Sequence, residues 1–109
     1  MVFTREQLLK PRTTAAHTID IDGLGMVRIR ELTVGEAKEL ATAFVDKDAE
    51  ATFYVLQRCM IDENGEPLLR PEEVTAIDSL GIATAKRIVS AILEKSGMSA
   101  QGEKPAPKP

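Results

Sequence analysis

From His17 to Glu31 polar and apolar residues alternate with a period of two, interrupted by Gly23-Leu24-Gly25. Alternation of this kind sends successive side chains to opposite faces, so it predicts a β-hairpin closed by a three-residue loop. With the loop at Gly23–Gly25, Asp22 faces Met26, Ile21 stands opposite Val27, Asp20 opposite Arg28, and Ile19 opposite Ile29. One face is then apolar and the other carries an opposite-charge pair. A slip of one residue would set apolar against charged positions, so the pattern holds its own register.

Outside the hairpin the apolar spacing is helical. Thr4-Arg5-Glu6-Gln7 has the form of a capping box ahead of Leu8 and Leu9, and Pro11 limits that helix to one or two turns. Thr33-Val34-Gly35-Glu36 is a second box, and Ala37, Leu40, Ala41, Phe44 and Val45 follow it as one stripe. Asp46-Lys47-Asp48 interrupts the stripe, and Ala49, Thr52, Phe53, Leu56, Cys59 and Met60 begin another, which the turn-rich segment from Asp62 to Pro67 ends. These two helices are expected to form an antiparallel pair. Pro71-Glu72-Glu73 opens a short helix to about Ile77, with proline where its missing N–H costs little and carboxylates where the helix dipole favours them. Beyond Asp78-Ser79, either of which suits a cap, Ala85, Ile88, Val89, Ile92 and Leu93 mark the longest stripe, and Gly97 suits its stop.

The expected fold class is α+β and mostly helical, an N-terminal short helix and a β-hairpin packed on a bundle of about four helices. A hairpin alone is marginal, so its apolar face should lie on the helices while its edges stay open to other strands.

Composition narrows the function. A chain of 109 residues, 43% hydrophobic, makes one domain with a small core, placed here at residues 1–98. Ser99–Pro109 holds three of the six prolines without apolar periodicity, which reads as a disordered tail. Fourteen basic and 17 acidic side chains give a formal charge of -3, and the tail's Lys104 and Lys108 leave the body more acidic still. Broad electrostatic binding to nucleic acid is therefore not expected. No stretch approaches the roughly 20 apolar residues of a membrane span, and the start lacks the features of a secretion signal, so a cytosolic protein is expected.

Candidate chemistry is sparse. Cys59 is the only cysteine, so no intrachain disulfide can form, and its place in an apolar stripe marks a buried thiol. The one histidine, His17, lies on a strand far from it in sequence, and no paired Cys-x-x-Cys offers a zinc site. Asp62-Glu63-Asn64-Gly65 begins like a calcium loop, but Pro67 occupies the sixth place, where that loop needs glycine; a turn is expected instead. Asp20 and Asp22 lack a third ligand, Glu72 and Glu73 diverge on a helix by about 100 degrees, and Gly23-Leu24-Gly25 lacks the third glycine of a dinucleotide fingerprint. The expectation is a non-enzyme with no cofactor or metal.

Four residues are candidates for partner contact. Arg28 and Arg30 either support Asp20 and Thr18 across the hairpin or meet an anionic partner. Tyr54 falls off its helical stripe. Arg87 closes the segment Leu80 to Ile88, which resembles a helix-hairpin-helix DNA-binding motif, although Ala83 stands where its second glycine is expected. That segment supports the alternative of a small nucleic-acid-binding adaptor.

The order and spacing of several segments carry a wider resemblance. Phe3-Thr4-Arg5-Glu6-Gln7-Leu8-Leu9 precedes the hairpin, Val27-Arg28-Ile29-Arg30-Glu31-Leu32-Thr33 runs into Gly35-Glu36, Cys59-Met60-Ile61-Asp62 is followed by Asn64-Gly65-Glu66-Pro67-Leu68, and a closing helix reaches Ser96-Gly97. Across residues 3–98 this arrangement resembles the tail assembly chaperones of long-tailed (siphovirus-type) bacteriophages. The resemblance implies a self-associating, non-catalytic protein of the host cytoplasm, absent from the finished virion, that keeps the tape-measure protein soluble and helps recruit tail-tube protein. It also implies a longer frameshifted form, for which the tail would suit an extension.

Overall fold

A computed structural model of the protein describes residues 2–10 and 14–98. In chain order it runs α1 (Arg5–Leu9), β1 (Ala16–Ile21), β2 (Gly25–Arg30), α2 (Val34–Thr42), α3 (Asp48–Cys59), a 3-10 helix (Pro71–Ser79) and α4 (Ile82–Lys95). The class is α+β and mostly helical, in the expected order. The expected tail, Ser99–Pro109, lies outside the described residues.

The hairpin forms in a different register from the one the alternation suggests. Ile21 pairs with Gly25, Asp20 with Met26, Ile19 with Val27, Thr18 with Arg28 and Ala16 with Arg30. The loop is therefore Asp22–Leu24. Its Leu24 N–H donates to the Ile21 carbonyl at 2.9 Å, and Gly23 takes φ +84° at the turn's third position. Glycine supplies that left-handed corner without strain. Because the displacement is even, Ile19, Ile21, Val27 and Ile29 keep one common face while every pair changes. The expected Asp20–Arg28 pair is lost, and Arg28 faces Thr18 instead.

The edge of β2 is not open along its length. Met60, the residue after α3, bridges Ile29, and the Ile61 N–H donates to the Arg28 carbonyl at 3.0 Å. The chain then turns back, so that the Leu68 N–H donates to the Met60 carbonyl at 3.0 Å. The Asp62 carboxylate accepts from the Asn64 and Glu66 N–H groups at 2.8 and 3.0 Å, forming the turn expected there.

The helices follow their local signals with three exceptions. α2 has its complete capping box, but it ends at Thr42, and Asp46 at φ +60° redirects the chain. Ala41 and Val45 are thus exposed, and the expected apolar pairing of α2 with α3 is replaced by α3 packing chiefly on α4. The segment from Pro71 is a 3-10 helix that runs to Ser79. Ser79 consequently does not cap α4; its hydroxyl donates to the Ala76 carbonyl, and Gly81 occupies the N-cap position without a side-chain bond.

The core lies where α3, α4 and the apolar hairpin face converge, and Ile29, Leu56, Cys59, Ile88 and Ile92 are its fully buried members. At the end of α4 the Met98 N–H donates to the Leu93 carbonyl and the Gly97 N–H to Glu94, with Gly97 at φ +81°. This is the glycine stop that the sequence indicates. The Leu32 N–H donates to the Ser96 hydroxyl at 2.9 Å, tying the end of α4 to the hairpin's exit. Among the described residues no helix is long and apolar enough to cross a membrane.

Candidate functional site

An open cleft of about 660 Å³ lies between the turn end of the hairpin, the chain after α3, the 3-10 helix and α4. Core residues form its floor: Met60, Ile61, Ile77 and Ile88 are all buried. Its rim carries apolar side chains that water reaches, Leu24, Leu68 and above all Met26, which is 68% exposed. Exposed apolar side chains gathered around an apolar floor mark a surface that gains by being covered.

Arg28 also lines this cleft. Its Nε is buried and, among the described residues, has no hydrogen-bond partner. That atom is closed to an occupant of the cleft, but the guanidinium's positive charge at the wall favours a segment that brings a carboxylate or carbonyl oxygen beside it. Shape and charge together fit an apolar segment that carries an acceptor.

No family model, curated protein or solved structure matches the chain. What the surface can do is therefore argued from its own chemistry.

The other candidate residues lie elsewhere. Arg30 forms a bidentate pair with Glu36, at 2.9 and 2.6 Å, and also donates to the Glu31 carbonyl at 2.9 Å. The hydrogen bonds that Arg30 donates to Glu36 raise the pKa of Arg30 above its ordinary value. Glu36 also accepts from the Thr33 N–H as part of the α2 cap and lies 3.6 Å from Arg58. Tyr54, expected on an open helix face, is partly buried: its ring stacks at 4.8 Å on Phe44, and the Arg58 guanidinium sits 5.0 Å above its centre. Arg30 and Tyr54 are thus joined through Glu36 and Arg58 into a buttress between β2, α2 and α3. Arg87 reaches across to the hairpin turn, donating to the Asp22 carbonyl at 3.3 Å. Only Arg28 of the four lies at the cleft.

Leu24, Met26 and Leu68 are the residues that sequence reasoning did not single out. For Leu24 and Leu68 the one visible signal is apolar character inside turn segments, where polar residues are the rule, and for Met26 it is an apolar side chain on the hairpin's otherwise polar face.

Cys59 is packed in the core, where burial pushes its thiol up to about 12. The thiolate, which is the nucleophilic form, is then scarce near neutrality. In the native protein at pH 8, Cys59 should react with a thiol reagent such as DTNB no faster than the protein opens, and adding denaturant should release it. Rapid stoichiometric labelling without denaturant would contradict this placement. Among the described residues no group of three or more His, Cys, Asp or Glu could hold a metal ion.

Proposed function

We propose that the protein is a non-catalytic tail assembly chaperone of a long-tailed bacteriophage. It works in the host cytoplasm, binds the tape-measure protein while that protein is unassembled, and departs before the virion is complete. The observation that carries this reading is the open apolar cleft with Arg28 at its wall. The order of segments over residues 3–98 gives it its direction.

An elongated helical client must expose apolar stripes until its partners arrive. The cleft offers Leu24, Met26 and Leu68 to such a stripe and Arg28 to an acidic residue beside it. A single contact of this size is weak, which suits release to tail-tube subunits, and several copies along one client gain strength through multivalency.

The test is co-expression with the candidate tape-measure protein. A client that becomes soluble and co-purifies with this chain supports the proposal, and Met26→Asp, on the exposed rim, should then reduce capture without lowering stability. An insoluble client that shows no association overturns it.

A further inference from the structure

The chain has only three Phe, one Tyr and no Trp, yet Phe44, Phe53 and Tyr54 all line one surface cavity of about 390 Å³. It lies between the α2–α3 connection, α3 and the end of the 3-10 helix, and none of its lining residues belongs to the cleft. The rings are held from behind. Phe53 and Tyr54 pack against the core, and Phe44 rests on Tyr54 at 4.8 Å. The only charged residues lining the cavity are Glu50 and Asp78. Both are exposed, and neither carboxylate has a hydrogen-bond or ion-pair partner among the described residues.

Rings and carboxylates together suit a side chain that is apolar along its stem and cationic at its head. A wholly apolar occupant would take water from two carboxylates and return no bond, and an anionic one would meet like charge. Arginine fits better than lysine, because its planar guanidinium stacks on rings, is more weakly hydrated and matches the geometry of a carboxylate. The fold already contains this combination once. The Arg58 guanidinium sits 5.0 Å from the centre of the Tyr54 ring, with the Glu36 carboxylate 3.6 Å away. Arg58 does not line the cavity, so the cavity offers rings and carboxylates a second time without a guanidinium of its own.

We propose that this cavity binds an arginine side chain of a protein partner, with the aliphatic stem on Phe44 and Phe53 and the guanidinium at Glu50 and Asp78. Arginine is among the residues that most often anchor an interface, and rings already fixed against a core lose little freedom on receiving one.

Tyr54 is the only tyrosine and tryptophan is absent, so the protein's tyrosine emission reports this cavity. The test is a titration of the full chain, at constant ionic strength, with N-acetyl-arginine methylamide and with its uncharged citrulline analogue. The arginine probe should change the emission saturably, with a half-point of about 1–10 mM, and the citrulline analogue should bind at least about tenfold more weakly. Glu50→Gln combined with Asp78→Asn should weaken the arginine probe by roughly tenfold or more. Both positions are exposed, so this variant keeps the core and should keep the wild-type urea midpoint. A titration that shows no saturation up to about 50 mM overturns the proposal, as does equal binding of the citrulline analogue or full binding by the double variant. If Lys104→Gln combined with Lys108→Gln makes the probe bind about tenfold more tightly, the chain's own tail competes for the cavity and the assignment to a partner falls. No client is present in this measurement, so its failure is separate from failure of the chaperone proposal, which client solubility decides.

Discussion

Glu36→Ala should destabilise the protein by about 3–5 kcal/mol, because it leaves the part-buried Arg30 guanidinium without its counter-charge. The carboxylate is 8% exposed and Arg30 19%, and the bidentate bond between them is short. The same substitution removes half of the α2 capping box and the neighbour of Arg58. A urea titration would show the loss as a lower midpoint, and a change within about 0.5 kcal/mol would place Glu36 among ordinary surface residues. Glu36→Gln should cost less, since its amide oxygen can still accept from Thr33.

The pair also predicts a dependence on pH. Burial by itself would raise the Glu36 pKa, but the hydrogen bonds from Arg30 and the Thr33 backbone, with the nearby positive charge, hold it below its ordinary value. A carboxyl depressed in the folded state gives stability that is fully present above its unfolded pKa and is lost as the pH falls through its folded one. The stability gap between wild type and Glu36→Gln should therefore be widest near neutrality and narrow in acid. A gap that does not change with pH would show that the charge on Glu36 contributes nothing.

Ile88→Ala is the second substitution with a large expected effect, about 2–5 kcal/mol. Ile88 has no exposed surface, and it serves both the core and the floor of the cleft. Removing its outer carbons takes away buried apolar contact and leaves a void that the neighbouring helices can close only in part. Ile82→Ala, on the same helix at an exposed position, should change stability by no more than about 0.5 kcal/mol. Equal midpoints for the two variants in a denaturant titration would refute the assignment of the core to this face of α4.

Much of the fold was legible because its signals are local. The capping boxes at Thr4 and Thr33, the stripe of α4 and the stop at Gly97 each need only a few neighbouring residues to be recognised. The hairpin's faces were legible for the same reason. Its register was not, since two three-residue loops satisfy the alternation equally, and the Leu24–Ile21 hydrogen bond through Gly23 decides between them. Likewise the break at Asp46-Lys47-Asp48 was legible, but not that α2 ends at Thr42 and the chain turns at Asp46, which leaves Val45 exposed while Val55 enters the core.

Candidate-site residues were harder to recognise. The cleft is assembled from segments far apart in sequence, so no spacing announces it, and only Arg28 was identified in advance. The cap at Glu36 could be read from Thr33-Val34-Gly35-Glu36, but its bond to Arg30 depends on how β2 leads into α2. Tyr54 looked available because it lay off its stripe. Its actual neighbours are Arg58, four residues along the same helix, and Phe44, delivered by the turn before it.

The bridge between Ile29 and Met60 also bears on how the chain folds while it is being made. The hairpin leaves the ribosome first, but two strands alone are marginal, and the residues that cover Ile21 and Ile29 follow much later in α3 and α4. A nascent chain has no lasting core until Ile88 and Ile92 have emerged, so the body cannot close before α4 has been made. The strands then meet their helices in a single late collapse, leaving little opportunity for a half-built sheet to persist with its edges exposed.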